Sequence, residues 1–297
     1  MTRLLKIQGV IFAILTLCVV LGWSQVQTIS DQTQIIVASI LILFLGVPHG
    51  ALDAVLAEKS FNIKGYLDWA LFLVQYCLLA ALIVVIAFYL PLVFLVGFLV
   101  ISVFHFSTDL TPNVPFVSRL LYGGAIIFVS AVYYSDEMVR LFGLLSGPDV
   151  AETIIYPIKS VSVPWLVLLV GAALYQIKSD IYVAIEMLAV AMLALLVPPL
   201  VSFTLYFCFM HSVRHIFQSV QITKQFSAAY HVKMVVLPMA GVFFAVLISW
   251  FLLKDQSIDQ RIIQIVFLGL AALTVPHMVI IERMKWDSRV RGDMNDV

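Results

Sequence analysis

The chain has 297 residues, 63% of them hydrophobic and only 11% charged, whereas soluble domains carry roughly a quarter charged residues. Water is therefore excluded as its main solvent. Its 17 basic and 17 acidic residues cancel, and no basic tract interleaves with aromatics, which argues against nucleic acid as a partner.

Apolar runs of about 20 residues match a hydrocarbon core ~30 Å thick at a rise of 1.5 Å per residue, so the spans are helices rather than barrel strands. Ten are predicted, at 5–23, 33–57, 66–90, 91–109, 117–134, 163–178, 181–197, 200–221, 232–253 and 261–282. The count falls to eight if the breaks at Tyr89-Leu90-Pro91 and Pro198-Pro199 are kinks rather than helix ends. The start, Arg3-Leu4-Leu5-Lys6 ahead of an apolar run, reads as a first transmembrane helix, since no small-residue cleavage site is clear. Residues 135–162 hold Gly143, Gly147-Pro148 and Pro157 among mixed charges and are expected to form an exposed or interfacial loop. Cys18, Cys77 and Cys208 all fall inside apolar runs, and no disulfide is expected.

An even number of spans puts both termini on one side, and most Lys and Arg fall there, including Arg283, Lys285, Arg289 and Arg291. That asymmetry predicts cytoplasmic termini. The expected fold is all-α: a polytopic transmembrane helical bundle, a single integral membrane catalytic domain over 1–297, in the cell's inner membrane.

Ionisable groups inside a span are costly unless paired, hydrated or metal-bound, so each one is a functional candidate. Five of the six histidines fall within predicted spans. The first, His49, lies in Val47-Pro48-His49-Gly50-Ala51-Leu52-Asp53, where proline and glycine flank the ring. Asp53, four residues on, shares its helical face and can orient an imidazole, directly or through a neighbouring histidine; a helix-packing hydrogen bond is the plain alternative. His105, in Phe104-His105-Phe106, is alone on its helix, and such a residue is ordinarily a satisfied buried histidine. His211 and His215, four apart in His211-Ser212-Val213-Arg214-His215, stack two rings on one face and can share one metal ion, or line a polar cavity.

Arg214, between them, needs a partner such as Asp53 or Glu186, or a hydrated pocket. His231 sits at a span edge, an interfacial position. His277, in Val275-Pro276-His277, has no acid four residues later; it is expected to line the cavity or to bond behind the ligands, with direct ligation as the alternative. Imidazoles without a thiolate cluster suit iron, copper or zinc rather than magnesium or calcium. Iron is the choice here, because an all-histidine site with free positions suits dioxygen chemistry. Phe104, Phe106, Tyr206, Phe207 and Phe209 are expected to line an apolar tunnel beside it, though such aromatics also serve simply to pack helices.

Pro48-His49-Gly50-Ala51-Leu52-Asp53, Phe104-His105-Phe106, His211-Ser212-Val213-Arg214-His215 and Pro276-His277, in that order and spread over most of the chain, resemble the Brp/Blh family of bacterial and archaeal membrane β-carotene 15,15′-dioxygenases. The resemblance implies cleavage of the central double bond of β-carotene with O2 to give two molecules of retinal, at non-haem Fe(II) held by His49, His105, His211 and His215. It further implies a carotenoid lying in a membrane tunnel and retinal passed to a rhodopsin in the same cell.

Other readings compete. A membrane desaturase needs about eight histidine ligands in clustered boxes, and this chain has six histidines and one such pair. A zinc protease needs His-Glu-x-x-His, which does not occur here. A haem protein using His211 or His215 as axial ligand, and a transporter relaying protons through the histidines, both stay open. A rhodopsin is excluded, because no lysine lies well inside a span.

Overall fold

In hydrocarbon every backbone polar group must find its partner within the chain, which leaves helices as the economical solution for a sequence this apolar. The computed structural model describes residues 3–26, 29–61 and 63–291, with side chains at 24–26 and 285–291 set aside. Every element among the described residues is helical. The side chains of Lys285, Arg289 and Arg291, which contribute to the predicted orientation, lie outside the described part.

We number the helices α1 (Arg3–Trp23), α2 (Asp31–Phe61), α3 (Tyr66–Tyr89), α4 (Pro91–Ser107), α5 (Phe116–Gly123), α6 (Ala131–Ser146), α7 (Pro148–Gln176), α8 (Ile181–Leu196), α9 (Pro199–Ile222), α10 (Ala228–Leu252) and α11 (Ile258–Met284). Among the described residues seven of these, α1, α2, α3, α7, α9, α10 and α11, are long and apolar enough to cross a membrane, and α4 and α8 are shorter apolar helices. The chain is thus a helical membrane protein with several spans.

Both doubtful breaks are true helix ends. Leu90 (φ −136, ψ 60) separates α3 from α4, and Val197 (φ −124, ψ 138) with Pro198 (φ −52, ψ 148) separates α8 from α9. In each case proline takes the first helical position, where its missing N–H is no loss.

The stretch expected to be a loop, 135–162, is instead a helical hairpin. Gly147, at φ 94, makes the turn between α6 and α7, a conformation that glycine adopts without steric cost. Beyond it Ala151, Ile154, Ile155 and Ile158 are buried at the i, i+3, i+4, i+7 spacing of one helical face, while Asp149, Glu152 and Lys159 point outward. That apolar stripe outweighs the Gly and Pro punctuation. The predicted span at 117–134, in contrast, breaks into α5, a single turn at Ala125–Phe128 and the start of α6.

The bundle is layered by burial. In α9, 61% of the apolar window is buried against protein; in α3 and α10 none is, so those two form the lipid-facing rim. The main core gathers Phe12 of α1, Ile42 of α2, Phe106 of α4, Met187 of α8 and Tyr206, Phe207 and Met210 of α9. α9 is the axis on which α1, α2, α4 and α8 converge.

Candidate metal centre

Two helices are locally widened where they carry histidine. In α2 the Val47 N–H donates to the Ile42 carbonyl five residues back, at 2.8 Å, and Pro48 then opens the short turn that holds His49. In α9 a similar wide turn covers Tyr206–Ser212 and includes His211. Such turns shift the following side chains around the axis and recur at functional sites. Gly46 lets the two helices meet: a Cβ there would stand 2.4 Å from the Phe207 ring.

The result is a cluster of five histidines from α2, α4, α9 and α11. Ring centroids of His49 and His105 lie 5.0 and 4.5 Å from His211. His215 lies 5.5, 5.8, 5.5 and 4.9 Å from His49, His105, His211 and His277. All five are buried, and potential ligand nitrogens of His49, His105 and His277 fall within 4.8 Å of one another. The structure therefore gathers the four histidines predicted as ligands and adds His277 to them.

In four of these rings Nδ1 faces an acceptor. The His49 Nδ1–H donates to the Gly46 carbonyl at 2.6 Å and has the Ser212 hydroxyl at 3.1 Å. His105 Nδ1 lies 2.9 Å from the Met278 sulfur. His211 donates to Asp109 at 2.9 Å, and His277 to Asp53 at 2.6 Å. A carboxylate or carbonyl can only accept, so Nδ1 carries a proton, and in the neutral ring Nε2 keeps its lone pair. Nε2 of His211 and of His277 is buried without a hydrogen-bond partner. Leaving such a nitrogen unpaired costs roughly 1–3 kcal/mol, and a cation held by these imidazoles would account for both. The donor set, nitrogen without thiolate, fits iron, copper or zinc.

Asp53 pairs with His277 rather than with His49 on its own helix, and its other oxygen accepts from the Tyr76 hydroxyl of α3 at 3.0 Å. Sequence reasoning missed Asp109. The signal was present, because Asp109 follows His105 at the same four-residue spacing that links Asp53 to His49.

Arg214 is fully buried and faces away into a second network. Its guanidinium meets Glu186 of α8 in a fork at 3.0 and 2.9 Å. It also donates to Gln8 of α1 at 3.0 Å and to the Asp109 carbonyl at 2.8 Å. Of the partners predicted for it, Glu186 is the one used. The network fixes the loop after α4 that carries Asp109, and through Asp109 the ring of His211.

An apolar groove lies between α4, α6, α9 and α11, lined by Phe98, Ser102, Phe106, Met138, Phe203 and Phe267 among others. A smaller recess shares Phe98, Ser102, Phe106 and Phe203 with it and ends on His105 and Phe207. Of the aromatics predicted to form a tunnel, Phe106 and Phe207 line this space. Phe104 is 46% exposed on the outer surface. Tyr206 is buried with its hydroxyl donating to Asp109 at 2.6 Å, and Phe209 packs against the main core. Phe98 and Phe203 were not singled out, though Phe98, Ser102 and Phe106 recur every four residues, as do Phe203, Phe207 and His211.

The sequence profile of the family described as Beta-carotene 15,15′-dioxygenase matches residues 40–285. A protein from an uncultured marine bacterium, 66A03, described as Beta-carotene 15,15′-dioxygenase, is 32% identical over 257 residues, covering 82% of this chain and 90% of that protein. No solved structure matches the chain.

Proposed function

Because the chain belongs to the β-carotene 15,15′-dioxygenase family and is a carotenoid-cleaving enzyme, we propose that it splits the central double bond of β-carotene with O2, giving two molecules of retinal, at non-haem Fe(II) held by His49, His105, His211 and His215. The observation that carries the metal is the convergence of these buried imidazoles, with the Nδ1 atoms of His49 and His211 tied to acceptors. Bound iron would supply the electronic route by which ground-state dioxygen reacts with a closed-shell polyene.

The chain's own residues supply position and shelter. The Gly46 carbonyl and Asp109 hold their rings in one tautomer, so that Nε2 is the donor. Phe98, Phe106 and Phe203 wall an apolar channel whose inner end is His105. A rigid, flat polyene would meet mostly apolar side chains along this space, and symmetric cleavage would then depend on how far it slides in. Access is lateral, from lipid. We further infer one catalytic domain over 1–297 in the cell's inner membrane. An even number of spans, ten when α4, α8 and the broken segment from α5 to α6 are counted with the long helices, puts both termini in the cytoplasm. Retinal then passes to a rhodopsin in the same cell.

Expression in a carotenoid-accumulating bacterial host tests the reading. Orange β-carotene should disappear, retinal should appear in extracts, and the purified chain should carry iron. Unchanged pigment with well-inserted, iron-loaded protein would overturn it.

A further inference from the structure

We propose that His277 is a fifth imidazole ligand of the metal centre, an inference that rests on the reading of the histidine cluster as a metal site. Two arms of the cluster are built alike. In the first, the Tyr206 hydroxyl donates to Asp109 Oδ2 at 2.6 Å, and Asp109 Oδ1 accepts from His211 Nδ1 at 2.9 Å. In the second, the Tyr76 hydroxyl donates to Asp53 Oδ2 at 3.0 Å, and Asp53 Oδ1 accepts from His277 Nδ1 at 2.6 Å. Each aspartate lies four residues after another histidine of the cluster, Asp109 after His105 and Asp53 after His49.

The two arms reach the cluster from separate helices and end alike, on a buried Nε2 that has no hydrogen-bond partner. His277 is only 3% exposed. Its ring stands 5.5 Å from His49, 5.2 Å from His105 and 4.9 Å from His215, and potential ligand nitrogens of His49, His105 and His277 lie within 4.8 Å of one another. On α11 the recess next to the cluster is lined by Leu270 and Thr274, earlier on the helix. A carboxylate bonded behind an imidazole fixes its tautomer and raises its basicity, which serves a ligand. Asp53 and Tyr76 are positioning residues for that ligand.

The test uses the full-length chain in detergent or nanodiscs, loaded with Fe(II) or with Co(II) as a spectroscopic probe. X-ray absorption fine structure on the iron-loaded unmodified protein should count five imidazoles. His277→Ala should change the visible Co(II) spectrum toward a lower coordination number. It should weaken metal binding by more than the ~10–100-fold that loss of an outer hydrogen-bond partner costs, and added imidazole should restore the spectrum. Asp53→Asn should keep five imidazoles and weaken binding within that range.

Four imidazoles in the unmodified protein would overturn the proposal alone, even if His277→Ala fails to fold. So would a folded His277→Ala variant with the parent Co(II) spectrum. An unmodified chain that takes up no metal removes the metal-centre reading and this proposal together.

Discussion

α9 and α10 follow one another in the chain with 24 and 25 residues, both apolar enough to span, yet one is the axis of the bundle and the other its rim. The less apolar helix is the buried one. It carries His211 and Arg214, which pair with Asp109 and Glu186 inside the protein, and His215, whose ring lies beside that of His211. The apolar stretch of α10 needs no such partners, since lipid solvates its side chains as well as protein would.

The contrast holds for single residues too. His231 of α10 is buried, but both its ring nitrogens are engaged, Nε2 with the Thr223 hydroxyl at 2.7 Å and Nδ1 with the Ser227 carbonyl at 2.9 Å. His211 has one nitrogen engaged and one without a partner. Burial therefore does not separate the two histidines, whereas a ring nitrogen without a hydrogen-bond partner does.

Substitutions can break or sharpen this contrast. The largest effect is expected for His211→Ala and His215→Ala, each reducing retinal formation to background and lowering bound iron while the protein still inserts; retinal production in membranes with metal analysis checks this. Glu186→Gln leaves the Arg214 charge uncompensated in the interior, and breaking a buried pair costs about 3–5 kcal/mol. Reversible unfolding in mixed micelles should show a loss of that size.

Asp109→Asn should retain the fold and weaken metal binding ~10–100-fold by releasing the His211 ring, read by competition with a chelator. Phe203→Trp narrows the channel and should raise KM for β-carotene by about tenfold, at an iron content equal to the parent's. The smallest effect belongs to His231→Gln on the rim. Loss of one intramembrane hydrogen bond costs about 0.6 kcal/mol, and activity should stay at the parent level; a clear loss of iron in that variant would erase the distinction between axis and rim.

Much of the site was legible along the chain because its parts obey helical spacing. Five histidines and Asp53 stand out as polar groups inside predicted spans. Arg214 likewise demanded a buried partner, and Glu186 was among those available. Asp109 escaped because it sits just past the end of α4, where an acid reads as interfacial, although Tyr206 and His211 close over it. The hairpin at 135–162 was read as a loop because Gly147, Pro148 and Pro157 weigh heavily in local rules, which do not see that Ile154, Ile155 and Ile158 have a core to face.

Composition and the period of apolar runs determined by themselves that this is a helical membrane protein, since the backbone has no other way to satisfy its hydrogen bonds in lipid. Spacing alone also fixed which histidines share a helix face. Only the tertiary structure decided which carboxylate stands behind which ring, because Asp53 serves a histidine 224 positions away and Asp109 one 102 positions away. Such pairings depend on how helices cross. That is set by packing, by the missing Cβ of Gly46 against Phe207 and by the widened turns in α2 and α9, none of which leaves a periodic trace in the sequence.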